Sequence, residues 1–95
     1  MSELPNMVIE LSTNNHPGVL THVMSLFSRR GFNLEAMLCS PDRQAETSKM
    51  YLLVKNDDRL DQIVKQLSKL YDVRSAVIRD DVDHTVFTRI EEALR

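Results

Sequence analysis

The chain has 95 residues, enough for one domain at the small end of what builds its own core. With 42% hydrophobic and 27% charged residues it belongs with soluble globular chains rather than disordered ones. A net charge of −2 and a pI near 5.9 leave no basic surface to follow a phosphate backbone, which argues against nucleic-acid binding. The single cysteine, Cys39, excludes an intrachain disulfide and suits a reducing, cytoplasmic setting. No apolar run approaches the roughly 20 residues that span a bilayer, and "MSELPNM" has neither the basic nor the apolar region of a signal peptide.

Met7, Ile9 and Leu11 alternate with Val8, Glu10 and Ser12, a period of two that predicts a strand over 7–13. Next comes "NNHPGVL", a turn with two amide side chains, a proline and one of the two glycines. Val19, Leu20, Val23, Leu26 and Phe27 then share a helical face up to Arg29 and Arg30, where Gly31 marks the stop. "NLEAMLCS" (33–40) reads as a second strand, followed by a polar loop over 41–47. "SKMYLLVK" (48–55) reads as a third strand. "NDDRLDQIVKQLSKLYDV" carries Leu60, Ile63, Val64, Leu67, Leu70 and Tyr71 at helical spacing, with Asn56, Asp57 and Asp58 as its cap. "VRSAVIRD" (73–80) alternates as a fourth strand. The charged segment "RDDVDH" leads into a last helix with Val86, Phe87, Ile90, Ala93 and Leu94 on one side.

The order βαββαβ predicts a ferredoxin-like α/β (α+β) sandwich over residues 1–80, with a hinge and an amphipathic helix over 81–95. The turn after the first strand is then expected near the start of the second, so that Asn33 approaches "NNHPG". The last helix either folds back on the open sheet face or docks on a partner.

A helix N-terminus offers unpaired N–H groups and a positive dipole end to an anion. Pro17 needs no N–H partner there, and Gly18 lets a ligand approach the backbone. The amides of Gly18 and Val19 can hold a carboxylate, and the carboxamides of Asn15 and Asn33 can meet an ammonium and a carboxylate together. With apolar walls this describes a small apolar amino acid. A purely structural account stands beside it, in which Asn15 caps the helix and Gly18 is a turn glycine. Catalytic and metal readings are weak: His16, His22 and His84 lack partners at metal-ligand spacing, no nucleophile elbow is present, and two glycines cannot build a phosphate cradle. Cys39 reads as a small packed hydrophobe, and the five methionines as core fillers, with Met7, Met37 and Met50 also able to wall a pocket or interface.

The run "NNHPGVLTHVMSLFSRRGFNLEAMLCSP" resembles the ACT domain, and more narrowly the small regulatory subunits of bacterial acetohydroxyacid (acetolactate) synthase. That family carries N-x-x-G at the first turn, here Asn15 and Gly18, and a helix ending "LFSxRGxN", here closing on Asn33; "KLYDV" is similar to its second-helix exit. At this length the chain resembles the short, isozyme I type. The resemblance implies a non-catalytic, cytoplasmic subunit of branched-chain amino-acid (valine and isoleucine) biosynthesis. It implies a homodimer that binds valine for feedback inhibition through Asn15, His16, Pro17, Gly18, Val19 and Asn33. It also implies that the chain activates a large catalytic subunit, which holds thiamine diphosphate, magnesium and FAD; no cofactor is expected on this chain. A free-standing amino-acid sensor is the alternative, and a small enzyme on the same scaffold is the third reading.

Overall fold

The computed structural model describes residues 6–15, 18–42, 44, 46–82 and 85–95. The elements follow the expected order: β1 (Asn6–Asn14), α1 (Val19–Arg29), β2 (Leu34–Asp42), β3 (Thr47–Lys55), α2 (Leu60–Ser68), β4 (Val73–Arg79) and α3 (Thr85–Leu94). The four strands form one antiparallel sheet in the order β2-β3-β1-β4. Ile9 and Leu11 of β1 and Met50, Leu52 and Val54 of β3 point to one face. There they meet Val19, Val23, Leu26 and Phe27 of α1, Leu60, Ile63 and Leu67 of α2, and Phe32. The helical stripe at i, i+4, i+7 and i+8 is what α1 needs to lie along that face. Leu20, expected on the same stripe, is one position off it and stays 42% exposed.

Two ends differ from the sequence expectation. β2 runs on through Pro41 and Asp42 into the expected loop, because it is the sheet edge and Pro41 lacks only an N–H that the edge need not supply. α2 stops at Ser68, with Lys69 as its C-cap, so Tyr71 leaves the apolar face and is 94% exposed in the following turn. Asp57 takes the Arg59 amide (2.7 Å) in the turn before α2, but no side chain caps the helix itself.

The second sheet face carries Val8, Glu10, Leu38, Tyr51 and Arg79. α3 folds back on it, with Val86, Phe87 and Ile90 beside Val8, Leu38 and Tyr51 across a groove of about 250 Å³. No α3 side chain is buried; Phe87 and Ile90 are half-buried, while Leu94 faces solvent. Glu10 links three strands on this face, accepting from Lys49 Nζ (2.6 Å) and from Arg79 Nη1. Arg79 also forks onto Asp81 at 2.7 and 2.9 Å, fixing the direction in which the chain leaves β4.

The hydrogen bond from Lys49, with a lesser one from Arg79, holds the Glu10 carboxyl below its usual range against the opposing effect of burial, which ranks between the two. A carboxylate depressed in the folded state stabilises above the unfolded pKa of about 4.3 and loses that contribution as pH falls through the folded value. Glu10→Gln is therefore expected to flatten the acid limb of stability below about pH 5, measured by urea unfolding across pH. An unchanged acid limb would show that the network contributes nothing.

Candidate functional site

The turn between β1 and α1 is tied to both of its flanks through the backbone. Asn14 N–H donates to the Asp72 carbonyl (2.8 Å) and Asn15 N–H to the Glu46 carbonyl (3.2 Å). Gly18 is the N-cap of α1 at φ 101°, a region that L side chains rarely adopt, and a Cβ built there would meet nothing within 4 Å. The backbone at this point is open, and its conformation demands glycine.

Among the described residues no side chain caps α1, and its first turn holds no acidic residue. Its leading N–H groups are thus left to whatever binds there. The structural account of Asn15 as the helix cap fails: its carboxamide makes no hydrogen bond among the described residues, and the cap position belongs to Gly18. His16 and Pro17, also expected in the site, lie outside the described residues.

A cavity of about 150 Å³ opens beside this turn, lined by Asn14, Asn15, Val19 and Leu20 on one side and by Cys39 and Met50 of β2 and β3, among others. That is about half the lower end of ordinary ligand sites, roughly 300 Å³, so the cavity offers part of a binding site. Met50 is a core residue as expected, and Met7 and Met37 pack partly against the core. Cys39 is exposed on the edge strand rather than packed in the core. Partial desolvation nonetheless pushes its thiol above the ordinary value, so it is not an activated nucleophile.

Asn33 is not near this turn. β1, β3 and β2 are aligned so that Asn14 pairs with Thr47 and Thr47 with Asp42, while Met7 pairs with Val54 and Val54 with Leu34. The start of β2 therefore sits at the opposite end of the sheet, about 24 Å along the strands at ~3.4 Å per residue. The expectation failed because α1 carries the chain back down the sheet before β2 begins.

At that far end Asn33 is exposed, and its Nδ2 donates to Glu35 Oε2 (3.1 Å). Glu35 is the extra residue of a bulge in β2. A second cavity of about 360 Å³ lies there, lined by Met24, Phe27, Ser28, Phe32, Asn33 and Leu34.

Between the two cavities runs an unpaired edge. β2 has one hydrogen-bonded neighbour, β3. Leu20 and Met24, one turn apart on α1 and 42% and 48% exposed, flank it on the helix side. These two residues were absent from the expected site; their signal in the sequence was an apolar pair standing off the buried stripe.

Among the described residues no group of three His, Cys, Asp or Glu is arranged to hold a metal ion. No helix of the described residues is long and apolar enough to cross a membrane.

Comparison with known proteins gives the family of this fold. The chain is 47% identical over 85 residues to the acetolactate synthase isozyme 1 small subunit of Escherichia coli (strain K12), covering 90% of this chain and 88% of that one. It is 37% identical over 83 residues to the acetolactate synthase small subunit of Mycolicibacterium smegmatis, covering 86% of this chain and 48% of that longer one. Its fold superposes on the crystal structure of the acetolactate synthase small subunit from Thermotoga maritima with a TM-score of 0.73 at 31% identity, covering 84% of this chain and 50% of that chain. The family model described as the AHAS small subunit-like ACT domain matches residues 9–75, and with these relatives it establishes that the chain belongs to the small-subunit ACT family of acetolactate (acetohydroxyacid) synthase.

Proposed function

We infer that this non-catalytic, regulatory-type chain is a homodimer that binds valine between its two copies and passes that signal to a large acetolactate synthase subunit. The observation that carries this reading is the placement of two incomplete half-sites at opposite ends of one open edge strand. Antiparallel pairing of β2 with β2 of a second copy satisfies the unpaired edge. It also reverses one strand against the other, so that the Leu34 end of one copy meets the Asp42 end of its partner. Asn33 of each copy then faces the Asn15–Gly18 turn of the other, and Leu20 and Met24 of the two α1 helices cover each other across the seam.

In this arrangement the leading amides of α1 hold the valine carboxylate. The two carboxamides, Asn15 from one copy and Asn33 from the other, meet its ammonium and remaining carboxylate oxygen. Val19, Leu20 and Met50 wall the side chain. Feedback inhibition follows if valine alters the paired state that the large subunit reads. Thiamine diphosphate, magnesium and FAD belong, in this reading, to that large chain.

Thermal unfolding with and without valine tests the proposal. At free valine about 100-fold above its dissociation constant, linkage predicts roughly 2.7 kcal/mol of stabilisation. Light scattering is expected to give a dimer at micromolar concentration. A monomer whose stability is unmoved by millimolar valine would refute the reading.

A further inference from the structure

At the end of the helical layer away from the β1–α1 turn, the C-terminus of α1 and the start of α2 enclose a cleft of about 540 Å³. It is lined by Arg29, Arg30, Arg59, Gln62, Ile63 and Gln66, with no carboxylate in the lining. Three arginines converge here in a chain whose net charge is −2.

Their states differ. Arg59 is fixed: it forks onto Asp57 at 3.2 Å through Nε and Nη2, donates from Nη1 to the Arg30 carbonyl (3.1 Å), and lies over the Phe32 ring at 5.2 Å. Arg29 makes one weak bond, from Nε to the Ser25 carbonyl at 3.4 Å, and Arg30 has no side-chain partner; neither has an ion pair among the described residues. Compensation of the α1 dipole accounts for one cation at this helix end but not for three guanidinium groups around one concavity.

We propose that this cleft is the surface that receives an acidic segment of the large acetolactate synthase subunit, with Arg29 and Arg30 as its carboxylate-binding anchors. This rests on the reading of the chain as a regulatory subunit. Three observations favour a carboxylate-bearing protein segment over a small anion. Arg59 is already neutralised by Asp57, which makes the well shallow for a free phosphate. Arg29 and Arg30, neither of which has an ion pair among the described residues, both line the cleft, so that each can take a carboxylate. The β2 edge and the open sheet face have candidate covers in a second copy and in α3, whereas no described residue covers the cleft.

The cleft also adjoins the Asn33 half-site. Phe32, beneath Arg59, is the neighbour of Asn33 and shares its cavity. Phe32 thus lies between the Asn33 cavity and the arginine cleft.

The test uses the full chain and its large subunit, with Arg29→Glu/Arg30→Glu, the neutral pair Arg29→Gln/Arg30→Gln, and Arg74→Glu on β4 as a control. Association with the large chain is followed by calorimetry at several salt concentrations, and valine binding is measured on each small chain alone. The expected result is at least tenfold weaker association for the Glu pair, a smaller loss and a shallower salt dependence for the Gln pair, and wild-type values for Arg74→Glu. All variants are expected to bind valine as wild type does.

Wild-type association of both arginine pairs would overturn the inference. So would saturable binding of inorganic pyrophosphate that depends on Arg29 and Arg30 while association is unaffected, which would make the cleft a small-anion site. Failure of the wild-type chain to bind valine or the large chain would instead refute the regulatory reading itself.

Discussion

Asn15→Ala and Asn33→Ala chains, each expected to bind valine about 5- to 150-fold more weakly from the loss of about 1–3 kcal/mol of hydrogen bonding, are expected to recover full-affinity binding when mixed. The sheet register is the reason. Asn15 and Asn33 lie at opposite ends of the same sheet and cannot share a ligand within one chain. In a two-fold dimer each site takes Asn15 from one copy and Asn33 from the other. A mixed dimer of the two variants holds one site with both asparagines and one with neither. Random assortment then gives about a quarter of the wild-type capacity at wild-type affinity.

Gly18→Asp belongs to the Asn15 half. It forces a Cβ into φ 101° and sets a carboxylate where the ligand's own would lie. Mixed with Asn33→Ala it should complement; mixed with Asn15→Ala it should not. Calorimetry on refolded mixtures reads both outcomes. Absence of recovery in the first pair, with dimers demonstrated, would place the site within a single chain.

The failure that led to this experiment shows what the sequence could and could not carry. Local periodicity was legible: Val19, Val23, Leu26 and Phe27 announce a helix with one buried face, and Met7 to Thr13 a half-buried strand. Gly18 was legible as a turn glycine, although its place as a left-handed helix N-cap was not, because φ leaves no trace in residue type beyond glycine itself. What periodicity does not encode is which end of the sheet a segment reaches. Asn15 and Asn33 are joined by one helix and two turns, and only the antiparallel register shows that the helix separates them. Pro41 and Tyr71 were misplaced for a related reason. An edge strand tolerates proline, and a helix that stops early sheds an aromatic residue from its stripe; each depends on neighbours rather than on the local pattern.

Deleting residues 84–95 is expected to leave the domain folded, dimeric and able to bind valine, but to make it self-associate beyond the dimer. α3 has no buried side chain and contributes only Phe87 and Ile90 as half-buried contacts. At roughly half of the 1.5–3 kcal/mol of a fully buried large side chain each, less the ordering of the helix, its removal should cost under about 2 kcal/mol. The core between sheet and helices, from Ile9 and Leu52 to Phe27 and Leu67, is untouched. The surface is not. Val8 is 1% exposed, and it lies in the groove beneath α3 beside Leu38 and Tyr51. Uncovering them exposes Val8, Leu38 and Tyr51 as an apolar patch, the kind of surface that drives association, at the β2–β3 side of the open sheet face, with Glu10 between it and Val77. Sedimentation over a concentration series should show species larger than the dimer in the truncated chain alone. Because α3 rests Phe87 and Ile90 on its own sheet, and the arginine cleft lies on the other side of that sheet, the truncated chain should still activate the large subunit. A folded, valine-binding truncation that no longer activates would show instead that Val86, Phe87 and Ile90 leave the sheet to dock on the catalytic chain. A truncation that unfolds would make α3 part of the core.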